Sequence, residues 1–184
     1  MTYRTGIIVG SLRKQSLNRQ LANTLIKLSP RELALEIVEI GQLPHCNADD
    51  EAAPAPVVVN FKRRIQSLNA ILFVTPEYNR GVPGFLKNAI DVASRPYGNN
   101  SWQGKPVGVI SVSPGALGAF GANHQLRQSF VFLDMPAMQQ PEAYIGEAEA
   151  LFNDKGDMVE EATLDFLRDY LKAFARWVER HAHT

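Results

Sequence analysis

Three features of the sequence predict an α/β fold built on one parallel sheet. Strand-like apolar runs alternate with helix-like periodic segments from one end of the chain to the other. The strand-like runs are nearly continuous, as in Ile7-Ile8-Val9 and across residues 70–75, and strands of that kind belong to a sheet covered on both faces. Three loop segments rich in Ser, Pro, Gly and Asn each follow directly on one of those runs.

The elements follow in order. Residues 3–9 read as a buried strand. Residues 17–28 carry apolar side chains at 17, 21, 25 and 28, the spacing of an amphipathic helix. Residues 33–40 alternate Leu33, Leu35, Ile37 and read as a second strand, followed by a loop over 41–56. Phe61, Ile65 and Leu68 share one face of a helix at 57–68. Residues 70–75 form the third strand, and Pro83 suits the first turn of a helix over 84–94. A turn-rich loop at 95–104 leads to a fourth strand at 106–113. A helix is expected over 117–134 and a short fifth strand around 137–139. Asn153-Asp154-Lys155-Gly156-Asp157 reads as a turn, and the last helix, 160–180, stripes Leu164, Leu167, Leu171, Phe174 and Val178 along one side. Five parallel strands with intervening helices suit a three-layer, flavodoxin-like sandwich with strand order 2-1-3-4-5.

At 184 residues, 45% of them hydrophobic, the chain is expected to form a single domain, 1–184, with a sizeable core. Nineteen basic and nineteen acidic side chains cancel, so neither a nucleic-acid footprint nor the acidic docking surface of an electron carrier is expected. One cysteine, Cys46, excludes an internal disulfide framework. The apolar run at the start is too short for a signal peptide or a membrane span, which points to a cytoplasmic protein.

The three loop segments carry the chemistry. Ser11 and Ser16 offer hydroxyls, residues 16–18 open a helix whose free amides favour an anion, and Arg13 adds a planar fork of donors. A phosphomonoester suits that set; the plainer alternative is an ordinary helix cap at Ser16 beside a surface arginine. The Gly-Lys-Ser/Thr of a Walker loop and the Gly-x-Gly-x-x-Gly of a dinucleotide turn are both missing. Pro76, Glu77, Tyr78 and Asn79 leave the third strand abruptly, with amides placed for the heteroatom edge of a flat ring and Tyr78 placed to lie against it. The alternative is a strand-to-helix turn with a packed tyrosine. The carboxylate of Glu77 has no evident role, and its backbone is expected to matter more. Ser113 and Gly115 end the fourth strand, and Gly115, Gly118 and Gly121 let backbone approach a planar ligand. Strands one, three and four are neighbours in the order 2-1-3-4-5, so these loops should meet in one crevice beyond the strands' carboxyl ends. Phosphate on one side and a flat polar ring on the other describe flavin mononucleotide (FMN).

The residues also resemble a known family. Gly-Ser-Leu-Arg-Lys-Gln-Ser-Leu-Asn at 10–18, Thr-Pro-Glu-Tyr-Asn at 75–79 and Gly-Phe-Leu-Lys-Asn-Ala-Ile-Asp at 84–91 are similar to the NAD(P)H-dependent FMN reductases, most of all bacterial quinone and chromate reductases. Leu126-Arg127-Gln128 and the stretch from Val131 to Met135 extend the likeness, which covers roughly residues 5–178. The resemblance implies tightly bound FMN, NAD(P)H as donor and a small-molecule acceptor such as a quinone, chromate, azo or nitro compound. It implies that Ser11, Arg13, Ser16, Leu17 and Asn18 hold the phosphate and that Pro76, Glu77, Tyr78, Asn79 and Ser113 hold the ribityl chain and ring. It also implies a homodimer or homotetramer. Because the cofactor carries the chemistry, no catalytic acid or nucleophile is assigned. Two positions depart from the family pattern: Gly118-Ala119 stands where two glycines are frequent, and Cys46 where tyrosine is frequent. If position 119 needs a positive φ, its alanine costs about 1 kcal/mol or is accommodated locally.

Ser129-Phe130-Val131-Phe132-Leu133 is apolar on most faces of a helix, which points to an isologous interface made by this helix and the one at 84–94. A deeply buried helix in a monomer is the alternative. His45, His124, His181 and His183 lack metal-ligand spacing, and no metal is expected. Lys87 and Asp91 are a helical i,i+4 pair. A flavodoxin-like carrier and a flavin-free phosphate-binding regulator are the competing functions.

Overall fold

The computed structural model describes residues 1–182, so His183 lies outside the described residues. Five strands, β1 (Tyr3–Val9), β2 (Leu33–Val38), β3 (Ala70–Thr75), β4 (Val107–Val112) and β5 (Ala143–Ile145), form one sheet in the order β2-β1-β3-β4-β5. All four pairings are parallel. The strand order read from the sequence is the order observed.

The helices α1 (Leu17–Lys27), α2 (Pro56–Gln66), α3 (Gly84–Ser94), α4 (Phe120–Phe132) and α5 (Glu161–His181) divide between two cores. Successive side chains of a strand point to opposite faces, so Ile7, Leu72, Val74 and Ile110 pack against α1 and α5, while Ile8, Ile71, Phe73 and Val109 pack against α2, α3 and α4. Burial on both faces is why the strands carry near-continuous apolar runs. Trp102 is fully buried in the second core and its indole N–H donates to the Ile90 carbonyl at 2.9 Å. Trp177 packs on the first core and donates to the Pro136 carbonyl. The turn at 153–157 closes through the Asn153 amide, which donates to the Asp157 carbonyl.

Two expectations are corrected. The fifth strand is Ala143–Ile145, not 137–139. Ala137 makes only an isolated bridge to Val107 at the start of β4, and Pro136 withholds an amide at that point. Residues 143–145 pair instead with Ile110, Ser111 and Val112. Helix α4 begins at Phe120 rather than 117 because Gly118 and Ala119 hold φ of 57° and 59°, a left-handed backbone that no right-handed helix contains. It ends before Asp134, whose φ is 56°. At that end Phe130 is buried, but Val131 and Phe132 are 85% and 81% exposed, so the helix is not enclosed within this chain.

Candidate functional site

The ends of β1, β3 and β4 lie side by side, because Val9 is in register with Val74 and Thr75 with Ser111. Gly10 draws the first two loops together. A Cβ there would stand 2.8 Å from a Leu86 methyl and 2.9 Å from the Thr75 hydroxyl, so any larger residue would push those side chains aside. The loops opening at Ser11, Pro76 and Ser113 therefore leave one edge of the sheet, beyond the strands' carboxyl ends, where open α/β sheets bind ligands.

The first loop is a buried polar cradle. Ser11, Ser16 and Asn18 are each 5% exposed or less. The Ser16 hydroxyl caps α1 by accepting from the Arg19 amide at 3.2 Å, as a serine N-cap should. The first bond along the helix runs from the Gln20 amide to the Ser16 carbonyl, so the Leu17 and Asn18 amides precede the hydrogen-bonded ladder and project from its positive end. The Asn18 carboxamide oxygen is buried without a hydrogen-bond partner. An unmet buried polar group costs about 1–3 kcal/mol. A ribityl hydroxyl would meet it, and with the amide turned over so would a phosphate oxygen. Arg13 is exposed beside the cradle, where it lines a polar cleft of about 530 Å³ with Leu17, Gln20 and Lys155. Arg19 is committed elsewhere, in a two-pronged pair with Glu39 at 2.7 and 2.8 Å. The hydrogen-bonded partner raises the Arg19 pKa and lowers that of Glu39.

The second loop is a closed turn. The Tyr78 and Gly81 backbones exchange hydrogen bonds of 3.0 and 2.9 Å, and the two residues between them, Asn79 and Arg80, have φ of 51° and 65°. Left-handed backbone at both central positions is a type I′ turn, in which Asn79 suits the first position and Arg80 stands where glycine is usual. Here it is braced from outside. The Glu77 carboxylate, 11% exposed, pairs with Arg80 at 3.0 Å and accepts from the Ala122 amide at 3.1 Å. The Gln125 carboxamide accepts from the Val82 amide at 2.6 Å. The side chain of Glu77 thus has a task that sequence reasoning left to its backbone. Tyr78 is 44% exposed, edge-on to Phe85.

The third loop leans on the segment after β5. The Ser113 amide donates to the Ile145 carbonyl, the Ala148 amide to Ser113 and the Glu147 amide to Gly115. The Ser113 hydroxyl donates to the Gly115 carbonyl at 3.0 Å. The three glycines differ in purpose. A Cβ at Gly115 would meet only the Ser113 hydroxyl, at 3.9 Å, so that face is open to a ligand. Gly118 is left-handed and pressed against the Tyr144 backbone, and Gly121 clears the Glu77 carboxylate. Ala119 holds the positive φ anticipated for it.

Around these loops Leu12, Tyr78, Leu117 and Phe120 are each between 44% and 61% exposed, an apolar rim for a flat molecule. Behind Phe120, His124 lies 2.9 Å from the Tyr144 hydroxyl. Burial, then the Glu142 carboxylate, pushes the Tyr144 phenol up to about 12. Among the described residues no cluster of His, Cys, Asp or Glu suits a metal ion. The sequence reading did not anticipate Gln125, the Ala122 amide or the 145–148 segment. The last of these followed from misplacing β5.

Residues 3–150 match the family model described as NADPH-dependent FMN reductase. A quinone reductase of Pseudomonas putida is 57% identical over 178 residues, 96% of this chain and 95% of that protein. A 2-hydroxy-1,4-benzoquinone reductase of a Burkholderia species is 41% identical over 97% of each chain. Among solved structures, the flavoenzyme NAD(P)H:(acceptor) oxidoreductase FerB of Paracoccus denitrificans superimposes with a TM-score of 0.93 at 42% identity, covering 99% of this chain and 100% of that one.

Proposed function

The chain belongs to the NADPH-dependent FMN reductase family, and from that premise we propose that it passes electrons from NAD(P)H through bound FMN to a quinone. The observation that carries the reading is the meeting of three loops over β1, β3 and β4, with the buried carboxamide oxygen of Asn18 unmet beside them. Bound FMN would supply two-electron redox chemistry between the nicotinamide and an acceptor.

The chain's own residues bind and orient. Ser11, Ser16 and Asn18, with the amides opening α1 and the guanidinium of Arg13, hold the phosphate. Pro76, Glu77, Tyr78, Asn79, Ser113 and Gly115 hold the ribityl chain and the ring. Leu12, Tyr78, Leu117 and Phe120 exclude water from one side and favour a flat, weakly polar acceptor. The names of the Pseudomonas and Burkholderia relatives support a quinone in that place. Nicotinamide and acceptor use the same space in turn. The exposed Val131 and Phe132 support assembly as a homodimer or homotetramer. No helix among the described residues is long and apolar enough to cross a membrane, and we place the enzyme in the cytoplasm, with its donor.

Steady-state oxidation of NADPH by the FMN-loaded protein, with a quinone varied, tests the reading. Parallel double-reciprocal lines are expected. Intersecting lines contradict a shared binding space, and an inert protein contradicts the reductase itself, leaving a passive flavin carrier.

A further inference from the structure

Helix α4 reaches the turn after β3 at two points one helical turn apart: the Ala122 amide donates to Glu77, and the Gln125 carboxamide accepts from Val82. The turn between them, Asn79-Arg80, is left-handed at both residues, which suits Asn79 but not Arg80, where glycine is usual. Its own two backbone bonds close it but do not fix its direction relative to the sheet. The Val82 amide is the first group beyond the turn, and Gln125 gives it an acceptor at 2.6 Å. The same carboxamide covers Gly81, where a Cβ would stand 2.9 Å from its oxygen. Gln125 is exposed, so its side chain contributes little to either core.

We propose that Gln125 is a positioning residue for the ring-binding turn, aiming Tyr78 and Asn79 by holding the Val82 amide. The inference rests on the flavin reading above and adds a residue on a different element, without contact to the cofactor.

The test uses full-length protein freed of flavin and measures FMN and riboflavin dissociation constants by quenching of flavin fluorescence. Gln125→Ala is expected to weaken both ligands by the same factor, about three- to tenfold, because the ring end is affected and the phosphate end is not. Gln125→Glu keeps an acceptor and restores both affinities to within about twofold of the unmodified protein. The melting temperature of the flavin-free Gln125→Ala protein stays unchanged. Unaltered affinity in Gln125→Ala overturns the proposal. So does a loss that accompanies a lower melting temperature and is not rescued by glutamate, which marks a packing role. Failure of the unmodified protein to bind either flavin is a separate result that removes the flavin reading and the inference with it.

Discussion

The Ala122 amide donates a 3.1 Å hydrogen bond to the carboxylate of Glu77, 45 residues earlier in the chain. Helix α4 opens from a left-handed alanine that has no side chain with which to cap it. Its Phe120 amide turns back to the Leu117 carbonyl, and Glu77, just beyond β3, supplies the acceptor for the Ala122 amide. One carboxylate thus joins the loop after β3 to the helix after β4, and its second oxygen holds Arg80 in the strained turn.

Removing that carboxylate lowers stability by about 1–2 kcal/mol in Glu77→Ala, read from urea unfolding. Glu77→Gln keeps an acceptor for Ala122 and recovers at least half of the loss. Gly121→Ala has the same sign as Glu77→Ala, because its Cβ would stand 2.8 Å from the Glu77 carboxylate. Equal stability of all three with the unmodified protein would show that the cap is idle.

Ala119 is strained where glycine would not be, at φ of 59°. Ala119→Gly is therefore expected to raise the unfolding free energy by about 1 kcal/mol, with an unchanged denaturant slope. A fall in stability would mean that the greater freedom of glycine in the unfolded chain outweighs the strain.

The position of Arg13 predicts a difference between two ligands. Arg13→Ala loses a charge-assisted contact and weakens FMN by about 10- to 100-fold. Riboflavin, which lacks the phosphate, binds the variant and the unmodified protein alike. An equal loss for both flavins in a titration calorimeter contradicts the assignment of Arg13 to the phosphate.

Cys46 lies in the exposed loop before α2, bonded through its amide to Asn88. Partial desolvation, then the charge of Asp91, raises its thiol above the ordinary value. A raised pKa leaves less thiolate at a given pH, so iodoacetamide should label Cys46 slowly at neutral pH. The pH at which labelling reaches half its maximal rate should lie above that of a free cysteine, and Asp91→Asn should bring that pH down. Fast labelling at pH 7 would contradict this and would mark the thiol as reactive.

Most of the sheet was legible because burial on both faces writes itself as unbroken apolar runs, such as residues 70–75. The loops at 11–18 and 76–79 stood out because Ser, Arg, Pro and Asn crowd there directly after apolar runs, and the register of β1, β3 and β4 sets the ends of those strands side by side. The fifth strand was misplaced because Ala137-Met138 and Ala143-Tyr144-Ile145 are both short and apolar, and pairing with β4 decides between them. The start of α4 was set too early because Gly118-Ala119 satisfies helical spacing, while both residues are left-handed and Gly118 is pressed against the Tyr144 backbone of the neighbouring strand. Glu77 and Gln125 act on amides 45 and 43 residues away, and no local pattern announces such a partner.

The crevice over β1, β3 and β4 should hold FMN, with NAD(P)H and a quinone meeting it there in turn. Anaerobic stopped-flow absorbance of the FMN-loaded protein tests this most directly. NADPH alone should bleach the yellow absorbance, and a quinone added after removal of the nicotinamide should restore it in full. Persistence of the colour with NADPH, or failure of the quinone to bring it back, would exclude a shared flavin site for donor and acceptor.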